Sequence, residues 1–78
     1  MGGRKVYHVV PDTETGSWKV KAEGAQRASS VHRTKAEAER AARELAKNHP
    51  LGQVVIHRRD GTIQKEYTYG QDPYPPEG

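Results

Sequence analysis

Only one stretch of this chain has helical periodicity, and its apolar face is almost all alanine. Thr34-Lys35-Ala36-Glu37 has the form of a capping box. In such a box the Thr hydroxyl accepts from a free amide of the first turn, and the Glu three residues on reaches back. The pattern predicts a helix from about Lys35 to Lys47. Asn48-His49-Pro50 stops it, because proline cannot continue a helix and restrains the residue before it. Ala38, Ala41, Ala42 and Leu45 recur at helical spacing on one face. Lys35, Glu39, Arg40, Arg43, Glu44 and Lys47 lie on the other, with Glu39 and Arg43 in the favourable order for an ion pair. A face of methyl groups lets a helix sit close against a sheet, so the rest of the chain has to supply that sheet.

It does so in two pairs of strands. Val6 to Val10 is a β-branched and aromatic run that ends at Pro11. Asp12 to Ser17 is a polar turn segment containing Gly16. Trp18 to Ala22 alternates, with Trp18, Val20 and Ala22 inward and Lys19 and Lys21 in water. Gly24 closes this strand, and Ala25 to Arg33 is a connection. After the helix, Gln53 to His57 is the most apolar strand. Asp60-Gly61 predicts a two-residue hairpin turn of type I′. Thr62 to Tyr69 follows as the fourth strand, with Ile63, Lys65 and Tyr67 on one face. The expected fold class is α+β, in the order strand-strand-helix-strand-strand, with one helix packed on a four-stranded, mainly antiparallel sheet. The whole chain, 1–78, reads as one small domain with a flexible N-terminus over 1–4. Residues 70–78 are expected to form an extended, proline-rich strap rather than a ligand for a proline-binding domain.

Composition narrows the chemistry. With 78 residues, 32% hydrophobic and no Phe, the core is small, since a chain this short buries only about 60% of its unfolded surface. The absence of Cys excludes disulfides and thiolate metal sites. No apolar run follows Met1-Gly2-Gly3-Arg4-Lys5, so neither a signal peptide nor a membrane span is expected, and the location read from the sequence is cytoplasmic. Val6 stands where a myristoylation motif needs Ser or Thr.

No catalytic residues stand out. Ser17, Ser29 and Ser30 sit in no nucleophile elbow, and no glycine-rich phosphate loop precedes the helix. His8, His32, His49 and His57 are too far apart in sequence for a ready-made chelate. His8 and His57 would meet only if the first and third strands are neighbours, and an ion there would need a third ligand from Asp60 or a glutamate. The histidines are therefore read as structural or surface groups, with no metal, no cofactor and no small-molecule substrate expected. The chain is read as not an enzyme.

The net charge of +3, from 13 Lys+Arg against 10 Asp+Glu, permits an anionic partner without demanding one. Lys19, Lys21, Arg27, Arg33, Arg58 and Arg59 fall in strands and their connections, close to Trp18, Tyr7, Tyr67 and Tyr69. Cations and flat rings on one sheet face are how single-stranded nucleic acid is often held. The plain alternative puts the rings in the core and the lysines on the opposite, solvated face.

Six pieces in order carry a resemblance. They are His8-Val9-Val10-Pro11, Trp18-x-Val20, Gly24-Ala25-x-Arg27-Ala28-Ser29, Thr34-x-Ala36-x-Ala38, Val55-Ile56-His57-x-x-Asp60-Gly61-x-Ile63 and Tyr69-Gly70-x-Asp72-Pro73-x-Pro75-Pro76-x-Gly78. Together they resemble a family of short bacterial and phage proteins known as domain of unknown function twenty-one eighty-eight. The likeness spans His8 to Gly78; no single piece is specific, and the ordered set is. Tyr74 stands where Phe is as common. The resemblance implies a stand-alone small domain whose tail is a strap, and it supplies no activity, cofactor or catalytic residue. The expected function is a non-catalytic binding module with DNA or RNA as partner. The rival is a protein-interaction or self-association module that uses a sheet edge or face, with Val54-Val55-Ile56 pairing two copies if it lies at an edge. No membrane partner is expected.

Overall fold

The structure, a computed structural model, describes residues 4–70. Residues 1–3 and 71–78 lie outside the described residues, and with them nearly all of the expected strap; Gly70, expected to open the strap, instead ends the last strand. The elements run β1 (Lys5–Asp12), β2 (Ser17–Ala22), β3 (Ser30–His32), α1 (Lys35–Lys47), β4 (Leu51–His57) and β5 (Ile63–Gly70). The α+β class and the single helix on one face are as expected, but the sheet has five strands, in the order β3-β2-β1-β4-β5. Three of its four pairings are antiparallel, but the sheet is mixed, because the central strand β1 pairs in parallel with β4.

The extra strand is β3, inside what reads as a connection. Ser30-Val31-His32 is too short and too polar to show alternation, yet Trp18 pairs with His32 and Val20 with Ser30. The first strand also runs one residue beyond Pro11. That proline faces Trp18 on β2, whereas the pairing with β4 ends at Val9 opposite Ile56. Its missing N–H therefore costs the parallel ladder nothing.

The capping box closes as expected on its threonine side. Thr34 is extended, and its hydroxyl accepts from the Glu37 amide at 3.2 Å. The buried stripe of α1 is Ala38, Ala42 and Ala46, each fully covered. Ala41 and Leu45, expected inside, are only half-buried at the flank of the core. The stripe follows i, i+4 spacing rather than turning towards Leu45, because the sheet offers no room for a larger side chain. Gly52 on β4 sits directly beneath Ala46, where an added Cβ would lie 2.1 Å from the Ala46 carbonyl oxygen. Tyr7, Val9, Trp18, Val20, Val54 and Ile56 complete the core from the sheet.

The β4–β5 turn differs from the expected two-residue type I′, which needs positive φ at both central residues. Among the described residues only glycines have positive φ, including Gly61 at 96°. The Gly61 amide donates to the Arg58 carbonyl at 2.8 Å, and the Arg58 amide to the Thr62 carbonyl at 2.7 Å. This is a three-residue loop with glycine in the left-handed position. A register shift follows: Ile56 pairs with Lys65 but His57 with Ile63. The expected Ile63-Lys65-Tyr67 face is broken there, and Ile63 turns to the side away from the helix, 51% exposed.

Candidate functional site

Strand alternation divides the side chains between two faces. Tyr7, Val9, Trp18, Val20, Val54 and Ile56 point to the helix. Val6, His8, Val10, Lys19, Lys21, Val55 and His57 therefore point the other way, onto a face that no described element covers. Lys19 and Lys21 lie on the face opposite the aromatics, as the plain alternative requires, whereas Lys5 and Lys65 lie on the helix side, over the Tyr7 and Tyr67 rings. Trp18 and Tyr7 are 5% and 6% exposed, so neither offers a ring for a base to stack on. Tyr67 and Tyr69 stack at 6.4 Å between ring centres on the helix side. Arg43 covers Tyr67 at 4.9 Å and donates to the Tyr69 hydroxyl at 2.6 Å. That hydrogen bond holds the Arg43 guanidinium pKa above its ordinary value.

The six candidate cations separate into groups. Lys19 and Lys21 lie on the uncovered face, opposite Val10 and His8. Lys19 is 3.4 Å from the Asp12 carboxylate. The Glu14 amide, and Lys19 less strongly, hold the Asp12 carboxyl below the ordinary carboxylate range. Arg33 follows β3, while Arg58 and Arg59 occupy the β4–β5 turn. These segments reach the same end of the sheet, where β1 and β4 finish and α1 begins. Arg59 stands 5.7 Å from the Trp18 ring centre and Lys35 stands 5.5 Å from it. Trp18 in turn pairs with His32, beside Arg33. Among the described residues Arg33, Lys35, Arg58 and Arg59 form no ion pair. Arg27, in the β2–β3 loop, lies at the opposite end.

Lys35 was not legible as part of this group, because on a helix wheel it reads as a solvated face. One signal was present: a cation in the first turn opposes the helix dipole, which favours acids there.

The parallel pairing of β1 and β4 answers the conditional reading of the histidines. His8 stands opposite Val55, and its Nδ1 lies 3.0 Å from Nε2 of His57. The outward nitrogens are also engaged. His8 Nε2 is 2.9 Å from the Glu23 carboxylate, and His57 Nδ1 is 3.0 Å from the Gly61 carbonyl. Beside the pair is an open hollow of about 350 Å³ lined by His8, Val10, Lys21, Glu23 and His57 among others. Asp60 does not join it. Its carboxylate accepts from the Thr62 amide at 3.0 Å and the Thr62 hydroxyl at 2.7 Å. These bonds hold it below the ordinary range.

The Val54-Val55-Ile56 run, expected to serve a dimer from an edge, lies inside the sheet between β1 and β5. The edges are β3 and β5. No described helix is long and apolar enough to cross a membrane.

The sequence profile described as "Uncharacterized protein conserved in bacteria (DUF2188)" matches residues 7–69. A relative in Bacillus subtilis (strain 168), named uncharacterized protein YdaT, is 39% identical over 66 residues. The aligned part is 85% of this chain and 42% of that protein, so the chain spans less than half the length of the curated relative it matches. No solved structure matches the chain significantly.

Proposed function

The chain belongs to the bacterial family DUF2188 of uncharacterized proteins, and within that family we propose that it is a cytoplasmic, non-catalytic module that binds nucleic acid by its phosphates. One observation carries the reading. Arg33 and Lys35, at the β3–α1 junction, and Arg58 and Arg59, in the β4–β5 turn, come from two separated segments to one end of the sheet, and none has a carboxylate partner among the described residues. Lys19 and Lys21 extend the positive side chains down the uncovered face. Contacts of this kind position a backbone and carry no sequence code. Because Trp18 and Tyr7 are in the core and Arg43 covers Tyr67 and bonds Tyr69, affinity here comes from charge and not from base stacking.

The test is fluorescence anisotropy with labelled single- and double-stranded DNA and RNA at several salt concentrations. Binding should weaken steeply with salt, with about −0.9 of log–log slope per duplex phosphate contact. The triple variant R33E/R58E/R59E should lose most of the affinity and flatten that slope. The triple variant R4E/R40E/K47E makes the same charge change elsewhere and should keep more of both. Equal losses in the two variants, or no salt-sensitive binding by the unaltered protein, would refute the reading.

A second reading is a protein-interaction module. Two of the exposed large hydrophobics, Val31 at 56% and Ile63 at 51%, lie on the uncovered face. There Val31 pairs with Lys19 and Ile63 with His57. Sedimentation of V31K and I63K beside the unaltered chain separates the self-association form of this reading. A concentration-dependent dimer lost in both variants supports it, and a monomer throughout removes it.

A further inference from the structure

The hydrogen-bond pattern around His8 and His57 leaves one contact unexplained. A neutral imidazole has one N–H and one lone pair. The Glu23 carboxylate can only accept, so the His8 proton belongs on Nε2, at 2.9 Å. The Gly61 carbonyl can only accept, so the His57 proton belongs on Nδ1, at 3.0 Å. Tautomers assigned from their partners in this way leave His8 Nδ1 and His57 Nε2 both as lone pairs. Yet these two atoms face each other at 3.0 Å. Two lone pairs at that separation repel, and the contact becomes favourable when either a proton, as in a His8 imidazolium paired with Glu23, or a metal ion lies between them.

From this we infer that His8 Nδ1 and His57 Nε2 form a binding site for a divalent transition-metal ion of the imidazole-preferring class, such as Zn²⁺, Ni²⁺ or Cu²⁺. The surroundings are those of metal-ligating histidines. Such a histidine donates its other ring N–H to a carboxylate or a backbone carbonyl, which fixes the tautomer and the ring orientation. Here Glu23 does this for His8, and Gly61 does it for His57. The spacing also fits. Two nitrogens at about 2.0–2.1 Å from a tetrahedral ion lie about 3.3 Å apart, so the pair opens by about 0.3 Å to admit one. The rings already converge from neighbouring strands, with centroids 5.2 Å apart.

Among the described residues no third His, Asp or Glu completes a ligand cluster. Glu23 is spent on His8, and Asp60 on Thr62. The remaining positions therefore face the hollow lined by Val10, Lys21 and Ala25, and water or an added anion fills them. Lys21, opposite His8 in the register, opposes a bare dication and favours an anionic co-ligand. The site is thus an open, two-histidine one, weaker than a closed structural centre.

The experiment is titration of the metal-free protein with Zn²⁺ and Ni²⁺, followed by calorimetry and by the ring ¹⁵N resonances of the four histidines. Saturable binding of one ion per chain is expected, with the His8 and His57 resonances moving and those of His32 and His49 staying. H8A and H57A should each remove saturable binding, while H32A keeps it. E23Q leaves both ligands in place and should weaken binding about tenfold or more, the effect of losing an outer partner. It also tests the site if either histidine variant fails to fold. The inference is overturned if no saturable binding occurs up to about millimolar metal, or if H8A and H57A bind as the unaltered protein does. It is overturned as well if the ring resonances show only a proton held between the two nitrogens that added metal cannot displace.

Discussion

Replacing Gly52 with alanine tests how closely the helix lies on the sheet. The new Cβ would stand 2.1 Å from the Ala46 carbonyl oxygen, 2.7 Å from its carbon and 2.9 Å from Cα, all backbone atoms. Ordinary contact begins at 3.4 Å, so the last turn of α1 must retreat by about 1.3 Å. Side-chain rotation cannot relieve the clash, because the obstacle is the helix itself. Retreat would also loosen Ala42 and Ala46, which are fully buried against β1 and β4. Overpacking a core costs about 1–3 kcal/mol and occasionally more, and a backbone-on-backbone clash belongs at the top of that range. At about 0.05–0.15 kcal/mol per residue, a domain of this size has only about 4–12 kcal/mol in all. G52A should therefore lose about 3 kcal/mol, lowering the melting temperature by about 12–24 °C. Urea unfolding followed by tryptophan fluorescence reads this directly, since Trp18 is the one Trp. G24A is the control. Gly24 has φ of 83° and nothing within 4 Å of an added Cβ, so only the left-handed strain remains, about 1–2 kcal/mol. A loss below about 1 kcal/mol in G52A would refute the close-approach argument.

Two further outcomes follow from local contacts. T34A removes the hydroxyl that accepts from the Glu37 amide and should cost about 1 kcal/mol in the same urea assay; no change would mean that water satisfies that amide equally well. Asp12 and Asp60 are both held below the ordinary carboxylate range by backbone amides. A carboxyl depressed in the folded state contributes stability above its unfolded value, about pH 4, and loses it as pH falls through the folded value. The double variant D12N/D60N should lose less stability than the unaltered protein on going from neutral to strongly acidic solution. Parallel acid profiles for the two proteins would show that these amides do not favour the ionised form.

The elements carried by local chemistry were legible in the residues. Thr34 with Glu37 at one end and Pro50 at the other bounded the helix to Lys35–Lys47. The alternation from Trp18 to Ala22 assigned each side chain to its face, and Asp60-Gly61 located the last turn, though not its type. The type escaped because Asp60 keeps negative φ, and the turn tightens around Gly61 alone. Ser30-Val31-His32 escaped because three polar-flanked residues become a strand only when β2 offers an edge to pair with. Of the six cations singled out, the residues gave the positions but not their grouping. Arg33 adjoins Lys35 in the chain, but Arg59 meets Lys35 only through Trp18, whose ring both cations approach.

By itself, then, the order of residues determined where the helix and four of the five strands form, which side of β2 is wet, and that no thiol chemistry is available. These depend on spacings of two to four residues, which any short segment expresses alone. The tertiary structure decided that β1 lies parallel to β4, with β3 at one edge and β5 at the other. That pairing joins segments about 50 residues apart, and its free energy comes from burying Val9, Val54 and Ile56 under a helix that neither strand contains. It brings His8 against His57, and Arg58 and Arg59 to the end of the sheet that holds Arg33 and Lys35, because contacts across such separations exist only once the core has closed.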